Sequence, residues 1–201
     1  MITVAVEGDT DVPFVSRLCE AAGFEVRAPI IDARGKHALD ERIAGFARAG
    51  RGSPHLLVRD LDQDAPCPVE WLSRTLPDER GEFFSLRLAV RAVEAWFLAD
   101  REHAAGCFHV SQAKIPVRPD EEDDPKLTIV SLARQSPKPL LKKLIVPAPG
   151  ASRKAAPAYA QWLMEAAQGW SFNRAKKNSD SLARAHRALV QLRTAWERSG
   201  G

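Results

Sequence analysis

The chain has 201 residues, 45% of them hydrophobic, which suits one large domain or a domain with an appendage around a buried core. Its three cysteines, Cys19, Cys67 and Cys107, are widely spaced and odd in number, which indicates a reducing cytoplasmic setting, and they lack the spacing of zinc ligands. No run approaches the roughly 18 apolar residues of a membrane span. The N-terminus lacks the pattern of a signal peptide.

The net charge of +3 hides a division of the chain. Residues 1–125 contain 15 Lys and Arg against 23 Asp and Glu, a net of −8. Residues 126–201 contain 14 against 3, a net of +11. An acidic half joined to a basic half is typical of a cation-using site beside a surface for polyanions. The alternative is a solvated basic bundle that only neutralises its acidic neighbour.

The first 50 residues alternate between strand and helix patterns. Residues 2–6 are apolar and β-branched and predict a strand. Apolar residues with helical spacing follow from residue 14 to residue 22, and Gly23 suits the end of that helix. Residues 24–31 then predict a second strand, and residues 36–49 a second helix.

The alternation continues to residue 100. Residues 55–58 form an apolar run too short for a helix, which predicts a buried strand. A short helix around Trp71 follows, and residues 83–90 alternate as in a half-exposed strand at a sheet edge. Residues 92–100 predict a largely apolar helix. This order of elements predicts a parallel sheet covered by helices, with right-handed connections.

Acidic residues follow two of the predicted strands. Glu7 and Asp11 come after the first strand, and Asp60, Asp62 and Asp64 come after the third. Because ligands of open α/β sheets bind at the carboxyl ends of the strands, we expect these acids to converge there. Asp60 and Asp62 alternate in extended chain and so project the same way, which suits a shared cation. The alternative is a polar turn with a helix cap.

The remainder of the chain has a different character, so we predict one domain over residues 1–110 and a basic helical region over 111–201. Residues 116–125 are rich in proline and acid and predict a mobile loop or linker. A stripe on the last helix predicts packing, and it contains Leu182, Ala185, Leu189, Leu192 and Trp196. The candidate nucleic-acid contacts are Lys142, Lys143, Arg153, Lys154, Arg174, Lys176 and Lys177.

Two of these motifs, together with a third stretch, resemble proteins of the TOPRIM fold, which is shared by topoisomerases, bacterial primases and overcoming-lysogenization-defect nucleases. The pattern Glu-Gly-x-x-Asp at residues 7–11 is similar to the first TOPRIM signature, and Asp-x-Asp at residues 60–62 to the second. Residues 94–100 also resemble a TOPRIM-related bacterial family of unknown function, whose genes often neighbour ATPase genes. The resemblance covers residues 1–110 and implies a TOPRIM-like, mainly parallel α/β sheet.

The resemblance implies a site for Mg²⁺ or Mn²⁺ that carries out phosphoryl transfer. By position, Glu7, Asp60 and Asp62 are the metal candidates, with Asp11 and Asp64 as outer ligands. The same inner three residues, together with Glu94, are the catalytic candidates. Hard oxygen ligands suit Mg²⁺, which activates water and stabilises charge on a phosphate in transfer.

Two features of the sequence depart from the family pattern. The primase-like version has a glycine shortly after the acids, where this chain has Ala65-Pro66-Cys67. The only tyrosine, Tyr159, lies outside the region of resemblance, so the strand passage of topoisomerases is not expected. Glu94 can equally be a buried or capping glutamate, and Lys36 follows Gly35 without the rest of a phosphate-binding loop.

The function implied is a cytoplasmic metal-dependent nuclease that hydrolyses nucleic acid, working in phage defence with an ATPase partner of the AAA or ABC type. One alternative is a non-catalytic subunit of such an ATPase complex, whose acids bind metal structurally or contact a partner. Another is a small-molecule phosphatase in which the basic half serves oligomerisation.

Overall fold

Four short strands form one parallel sheet in the computed structural model, which describes residues 1–201. They are β1 (Thr3–Val6), β2 (Ile31–Asp32), β3 (His55–Asp60) and β4 (Phe84–Ala89), and their order across the sheet is β2-β1-β3-β4. All three neighbouring pairs are parallel. The predicted α/β class with a parallel sheet is therefore confirmed, and the carboxyl ends of β1 and β3 lie side by side.

Helices flank the sheet and make up most of the second half of the chain. Those before residue 110 are α1 (Val12–Ala21), α2 (Lys36–Asp40), α3 (Ile43–Ala49), α4 (Pro68–Thr75), α5 (Val93–Ala99) and α6 (Arg101–Phe108). Those after it are α7 (Pro125–Gln135), α8 (Pro139–Ile145), α9 (Tyr159–Ala166), α10 (Phe172–Ala175) and α11 (Asp180–Arg198). None of them is long and apolar enough to cross a membrane.

The two faces of the sheet contribute to separate hydrophobic cores. Along β3, Leu56 and Val58 belong to a cluster of 38 buried residues, whereas Leu57 belongs to a cluster of 12 on the other face. This is the period-two alternation of a strand that is covered on both sides. The larger cluster includes Trp96 of α5 and Leu189 of α11, so it runs through both of the predicted regions.

Several local predictions agree with the structure. Helix α1 carries proline in its first turn, and Gly23 after it has a φ of +82°, a left-handed conformation that glycine adopts without steric cost. The stripe of α11 is buried at Leu182, Ala185 and Leu189. This stripe packs α11 against β4 and α1, and so attaches the basic helical region to the sheet.

The second strand and the second helix were predicted too long. Between residues 24 and 31 only an isolated bridge from Val26 to Ile2 forms before β2 begins at Ile31. Pro29 interrupts this segment, and proline cannot donate a hydrogen bond to a sheet. The predicted helix over 36–49 is divided into α2 and α3 by a turn, although Leu39 and Ile43 both remain buried in the smaller core.

The prediction of a half-exposed strand was wrong, and the acidic segment predicted as a loop or linker makes specific contacts. Strand β4 is an edge strand as expected, but it is buried on both faces because α11 packs over one of them. The acidic segment over 116–125 is anchored, since Asp120 accepts hydrogen bonds from the Ser179 hydroxyl and the Ser181 backbone N–H, both at 2.8 Å. These contacts hold the segment against the first turn of α11.

Candidate functional site

A cavity of about 430 Å³ opens at the carboxyl edge of the sheet. Glu7 directly follows β1, Asp60 ends β3, Asp62 lies two residues further on, and Glu94 lies in the first turn of α5. All four side chains line this cavity. Parallel pairing of β1 with β3 is what brings residues more than 50 positions apart to one edge. The structure thus assembles the four residues that the sequence suggested as catalytic.

Asp60 lies at the centre of the acidic cluster. Its Oδ1 accepts a hydrogen bond from the Val93 backbone N–H at 3.0 Å. Burial raises the pKa of Asp60 well above its ordinary value, and the nearby carboxylates of Asp11, Glu94, Glu7 and Asp62 raise it further. The folded chain therefore disfavours a negative charge on Asp60 unless a cation lies nearby.

Glu7 and Asp11 are held on the side of β1. Glu7 Oε2 is buried and has no hydrogen-bond partner, and burial, with Asp62 adding, raises the pKa of Glu7. Asp11 accepts from the Gly8 backbone N–H at 3.0 Å, and its pKa rises to about 7 because of burial and because Glu94 and Glu7 lie nearby. Asp11 does not line the cavity. Its carboxyl group acts on the site through space, by helping to raise the pKa of Asp60.

Lysine side chains enter the same cavity from two sides. Lys36 at the start of α2 places its Nζ 3.0 Å from Asp62 Oδ2 and 3.0 Å from Asp64 Oδ1. From the basic helical region, Lys126 Nζ lies 3.2 Å from Glu94 Oε1, and Lys154 Nζ lies 2.7 Å from the Asp124 carboxylate. The cavity therefore combines a cluster of acids with three ammonium groups, each paired with a carboxylate.

Asp64 is engaged differently from Asp60 and Asp62. Arg59 Nη2 lies 2.7 Å from Asp64 Oδ2, and Arg59 Nε lies 2.7 Å from Asp40 Oδ1. Although burial acts to raise it, the pKa of Asp64 lies below its ordinary value because Arg59 and Lys36 donate hydrogen bonds to the carboxylate. The Arg59 guanidinium also stacks 4.4 Å over the Trp71 ring. This network ties the loop after β3 to α2 and α4.

Arg91 shapes the loop that carries Asp62. Its Nη1 donates to the Asp62 carbonyl at 2.9 Å, and the Asp62 N–H donates to the Arg91 carbonyl at 2.7 Å. Asp62 itself has a φ of +48°, a left-handed conformation that aspartate tolerates better than most residues. These contacts hold the loop just before Ala65-Pro66-Cys67, where the sequence lacks the glycine of the primase-like pattern.

Tyr159 and Lys126 are site residues that the sequence analysis missed. The Tyr159 hydroxyl donates to Glu94 Oε1 at 3.1 Å, and both side chains are buried. Burial acts to lower the pKa of Lys126, but the Glu94 carboxylate outweighs it, so that the pKa of Lys126 lies above its ordinary value. Tyr159 is 65 residues from Glu94 along the chain. No local pattern signals a contact at such a distance.

The carboxylates of the cavity are oxygen donors of the kind that divalent cations prefer. No group of three or more His, Cys, Asp or Glu side chains is arranged as a ready metal-binding set. However, the carboxylate oxygens of Glu7, Asp60 and Asp62 are hard donors, and Glu7 Oε2 lacks any partner. A cation beside them would relieve the repulsion that raises the pKa values of Asp60 and Glu7.

The predicted nucleic-acid contacts lie in different surroundings. Lys154 lines the acidic cavity, whereas Lys176 and Lys177 line a separate cavity beside the start of α11. Arg174 is occupied by the buried carboxylate of Asp100, with Nε 2.6 Å from Oδ1. The remaining candidates are exposed, namely Lys142, Lys143 and Arg153. Most of this positive charge therefore lies at the surface, whereas Arg174 forms an ion pair with a buried carboxylate.

Comparisons with known proteins add no relative to this picture. A scan against protein-family models, a search of curated proteins and a search of solved structures each found no match to this chain.

Proposed function

We propose that the chain is a metal-dependent phosphoryl-transfer enzyme, and specifically a nuclease. The observation that supports this most directly is the gathering of Glu7, Asp60, Asp62 and Glu94 around one cavity that lysines enter from two sides. Carboxylates that repel each other, with pKa values raised in the folded state, are typical of cation sites and of proton-transfer groups. The nearby ammonium groups fit the charge of a phosphodiester.

In this proposal Glu7, Asp60 and Asp62 would hold Mg²⁺ or Mn²⁺. Such an ion would supply activation of a water molecule and would neutralise charge on the phosphate. Lys36, Lys126 and Lys154 bind phosphate oxygens, exchanging their present carboxylate partners for the substrate. The raised pKa of Glu7 suits a carboxylate that accepts a proton from the attacking water.

Glu94 has a fixed orientation in this proposal. Tyr159 donates a hydrogen bond to its carboxylate and Lys126 pairs with the same oxygen, Oε1. These contacts hold the Glu94 carboxylate at the cavity, where it helps to raise the pKa of Asp60. Because Tyr159 and Lys126 belong to the basic helical region, that region completes the site and does not merely neutralise it.

The substrate proposed is a nucleic acid whose backbone is held through exposed basic side chains. Lys142 and Lys143 of α8 and Arg153 after it are exposed and bind phosphates independently of sequence. The role in phage defence and the ATPase partner stay predictions of the TOPRIM resemblance. Membership of the nuclease family stays a prediction of the same kind.

The proposal is tested by hydrolysis assays with single-stranded and double-stranded DNA and RNA, in Mg²⁺, in Mn²⁺ and in EDTA. We expect cleavage that needs metal and that falls by about a hundredfold or more in Glu7→Gln and in Asp60→Asn. Glu20→Gln is the matched control, since Glu20 is exposed near the carboxyl end of α1 and does not line the cavity. It should cleave at the normal rate.

Other outcomes would favour the alternatives. Metal-dependent hydrolysis of p-nitrophenyl phosphate without cleavage of any nucleic acid would replace the nuclease by a small-molecule phosphatase. Metal binding by calorimetry without hydrolysis of either substrate would favour a non-catalytic subunit. Cleavage that persists in Asp60→Asn would show that another site, or a contaminant, carries the activity.

The surface lysines make a separate prediction. Reversal of Lys142, Lys143, Lys176 and Lys177 to glutamate should weaken nucleic-acid binding for every sequence and flatten the dependence of affinity on salt. A control with four exposed cations reversed elsewhere, at Arg42, Arg48, Arg80 and Lys114, keeps the same net charge. Fluorescence anisotropy at several salt concentrations measures both. Equal losses in the two variants would indicate a general charge effect and contradict a specific basic surface.

A further inference from the structure

A second cavity lies along the free edge of the sheet. It has a volume of about 440 Å³ and is bounded by α4, by β4 and by the first turns of α11. Its apolar lining includes Leu72 from α4 and Leu86 and Leu88 from β4. At its rim Val69 is 69% exposed. We call this cavity the β4 groove.

The backbone of β4 offers unpaired hydrogen-bonding groups to this groove. The His55 N–H donates to the Phe83 carbonyl and the Leu61 N–H to the Ala89 carbonyl, which fixes the phase of the β3–β4 ladder. In that phase the odd-numbered residues of β4 face β3, so Leu86 and Leu88 direct their N–H and C=O groups outward. No further strand lies beyond β4, and no turn or loop backbone bonds to these groups.

Arg87 adds an unpaired charge to the same groove. Its Nε is buried without a hydrogen-bond partner, and burial with no opposing carboxylate lowers the pKa of Arg87. Arg87 as a whole is half-buried, and a partly desolvated guanidinium without a counter-charge is uncommon because its desolvation is not offset. Arg87 lines the groove between the outward-facing backbone groups of its two neighbours.

The other charged groups of the groove already have partners. Asp120 accepts from Ser179 and Ser181, Glu121 lies 3.0 Å from Arg118, and Asp180 lies 2.7 Å from Arg184. These contacts leave the Arg87 guanidinium as the charged group of the groove with neither a hydrogen-bond nor an ion-pair partner. An incoming carboxylate would supply it.

We propose that the β4 groove binds an extended peptide segment of a partner protein, which adds to the sheet as a fifth strand and places an acidic side chain on Arg87. A peptide backbone presents donors and acceptors at the spacing that Leu86 and Leu88 require, and its apolar side chains cover Leu72 and Val69. A small carboxylate would satisfy Arg87 but leave the strand edge unpaired. This inference does not depend on the proposed nuclease activity.

The test uses the full-length chain and a capped six-residue peptide, matched in length to β4, that alternates valine and threonine around one glutamate. Two companion peptides replace the glutamate by glutamine or carry N-methyl groups on alternate residues. Amide hydrogen exchange followed by NMR should show that the first peptide slows exchange at Leu86 and Leu88. The Arg87 N–H, which faces β3, should change little. The glutamine and N-methylated peptides should each bind about tenfold more weakly.

Variants of the chain provide the second arm. Arg87→Met keeps an apolar stem of similar length and should weaken the glutamate peptide about tenfold while leaving the glutamine peptide unchanged. Val69→Ser should weaken both peptides, whereas Leu140→Ser changes an equally exposed apolar residue on α8 and should have no effect. Because Val69 is exposed, its variant tests the groove even if Arg87→Met folds poorly.

Three outcomes would overturn the proposal. One is the absence of protection at Leu86 and Leu88 at millimolar peptide. Another is unchanged affinity for the N-methylated peptide, because strand addition requires its N–H groups. The third is chemical-shift change at Arg87 by sodium acetate alone that equals the change by the peptide, which would indicate a site for small anions.

Discussion

The two ends of helix α5 hold aspartates in contrasting surroundings. At the amino end, Asp60 has one backbone hydrogen bond, from Val93, and shares its space with other acids. At the carboxyl end, the fully buried Asp100 accepts from the Ser171 N–H at 2.7 Å and from Arg174 Nε and Nη2 at 2.6 and 2.8 Å. Asp60 has no ion-pair partner, whereas both carboxylate oxygens of Asp100 accept hydrogen bonds from Arg174.

The difference separates two uses of a buried acid. Asp100 caps α6 and binds the segment before α10, so it attaches the basic helical region to the core. Asp60 accepts only one hydrogen bond, from the Val93 N–H of α5. The acids around it destabilise its ionised form in the folded state. A fully paired buried carboxylate indicates structure, whereas an underpaired one beside like charges indicates a site for a cation or substrate.

The largest expected effect is on the structural aspartate. Asp100→Ala removes an ion pair and leaves the Ser171 N–H without its acceptor, so we expect a loss of about 3 kcal/mol in the free energy of unfolding. Urea unfolding followed by circular dichroism measures it, with Asp78→Ala, at an exposed site, as the control. A loss below about 1 kcal/mol would mean that Asp100 and Asp60 are less different than their contacts indicate.

The reverse is expected of Asp60. Asp60→Asn keeps an oxygen to accept from Val93 and removes a charge that its neighbours repel, so stability in metal-free buffer should stay equal or rise by about 1 kcal/mol. The affinity for Mn²⁺, measured by calorimetry, should fall at least about tenfold. Asp60→Asn combined with Asp62→Asn should abolish binding. A marked loss of stability in metal-free buffer would make Asp60 a structural residue like Asp100.

The pH dependence of stability sharpens the comparison. Asp11 titrates near 3.8 when unfolded and at about 7 in the fold, so the folded chain holds this proton more tightly. The resulting stability is present below the unfolded pKa and is lost as the pH rises through the folded pKa. In metal-free buffer at about pH 7.5, Asp11→Asn should therefore melt about 3 °C higher than the parent chain, and the gain should vanish at about pH 4. A gain of equal size at both pH values would contradict the pKa shift.

The last prediction concerns Tyr159, which donates a hydrogen bond to Glu94. Tyr159→Phe removes the hydroxyl that donates to Glu94 and should lower the free energy of unfolding by about 1 kcal/mol. If Glu94 acts in the site, the rate of hydrolysis should fall while substrate affinity changes little. Stability and kinetics are both measured, and a change in stability alone would assign Tyr159 to the core.

The local sequence pattern determined most of the secondary structure of this protein. The apolar runs at residues 2–6 and 55–58, the helical spacing after Pro13 and the stripe of α11 all follow from side-chain period and turn residues, which act within a few positions. The parallel order followed from the alternation of strands and helices, and with it the meeting of Glu7 and Asp60 at one edge. Where a local signal was interrupted, as by Pro29, the predicted strand was too long.

Only the tertiary structure decided which charges meet. Lys126 and Tyr159 reach Glu94 from far along the chain, and Arg174 turns inward to Asp100 although its sequence context resembles that of the exposed lysines. The sequence likewise contained no sign that Arg87 lies unpaired on an edge strand that is covered on both faces. The physical reason is that secondary structure depends on neighbours in sequence, whereas the partner of a charge depends on how the helices pack over the sheet.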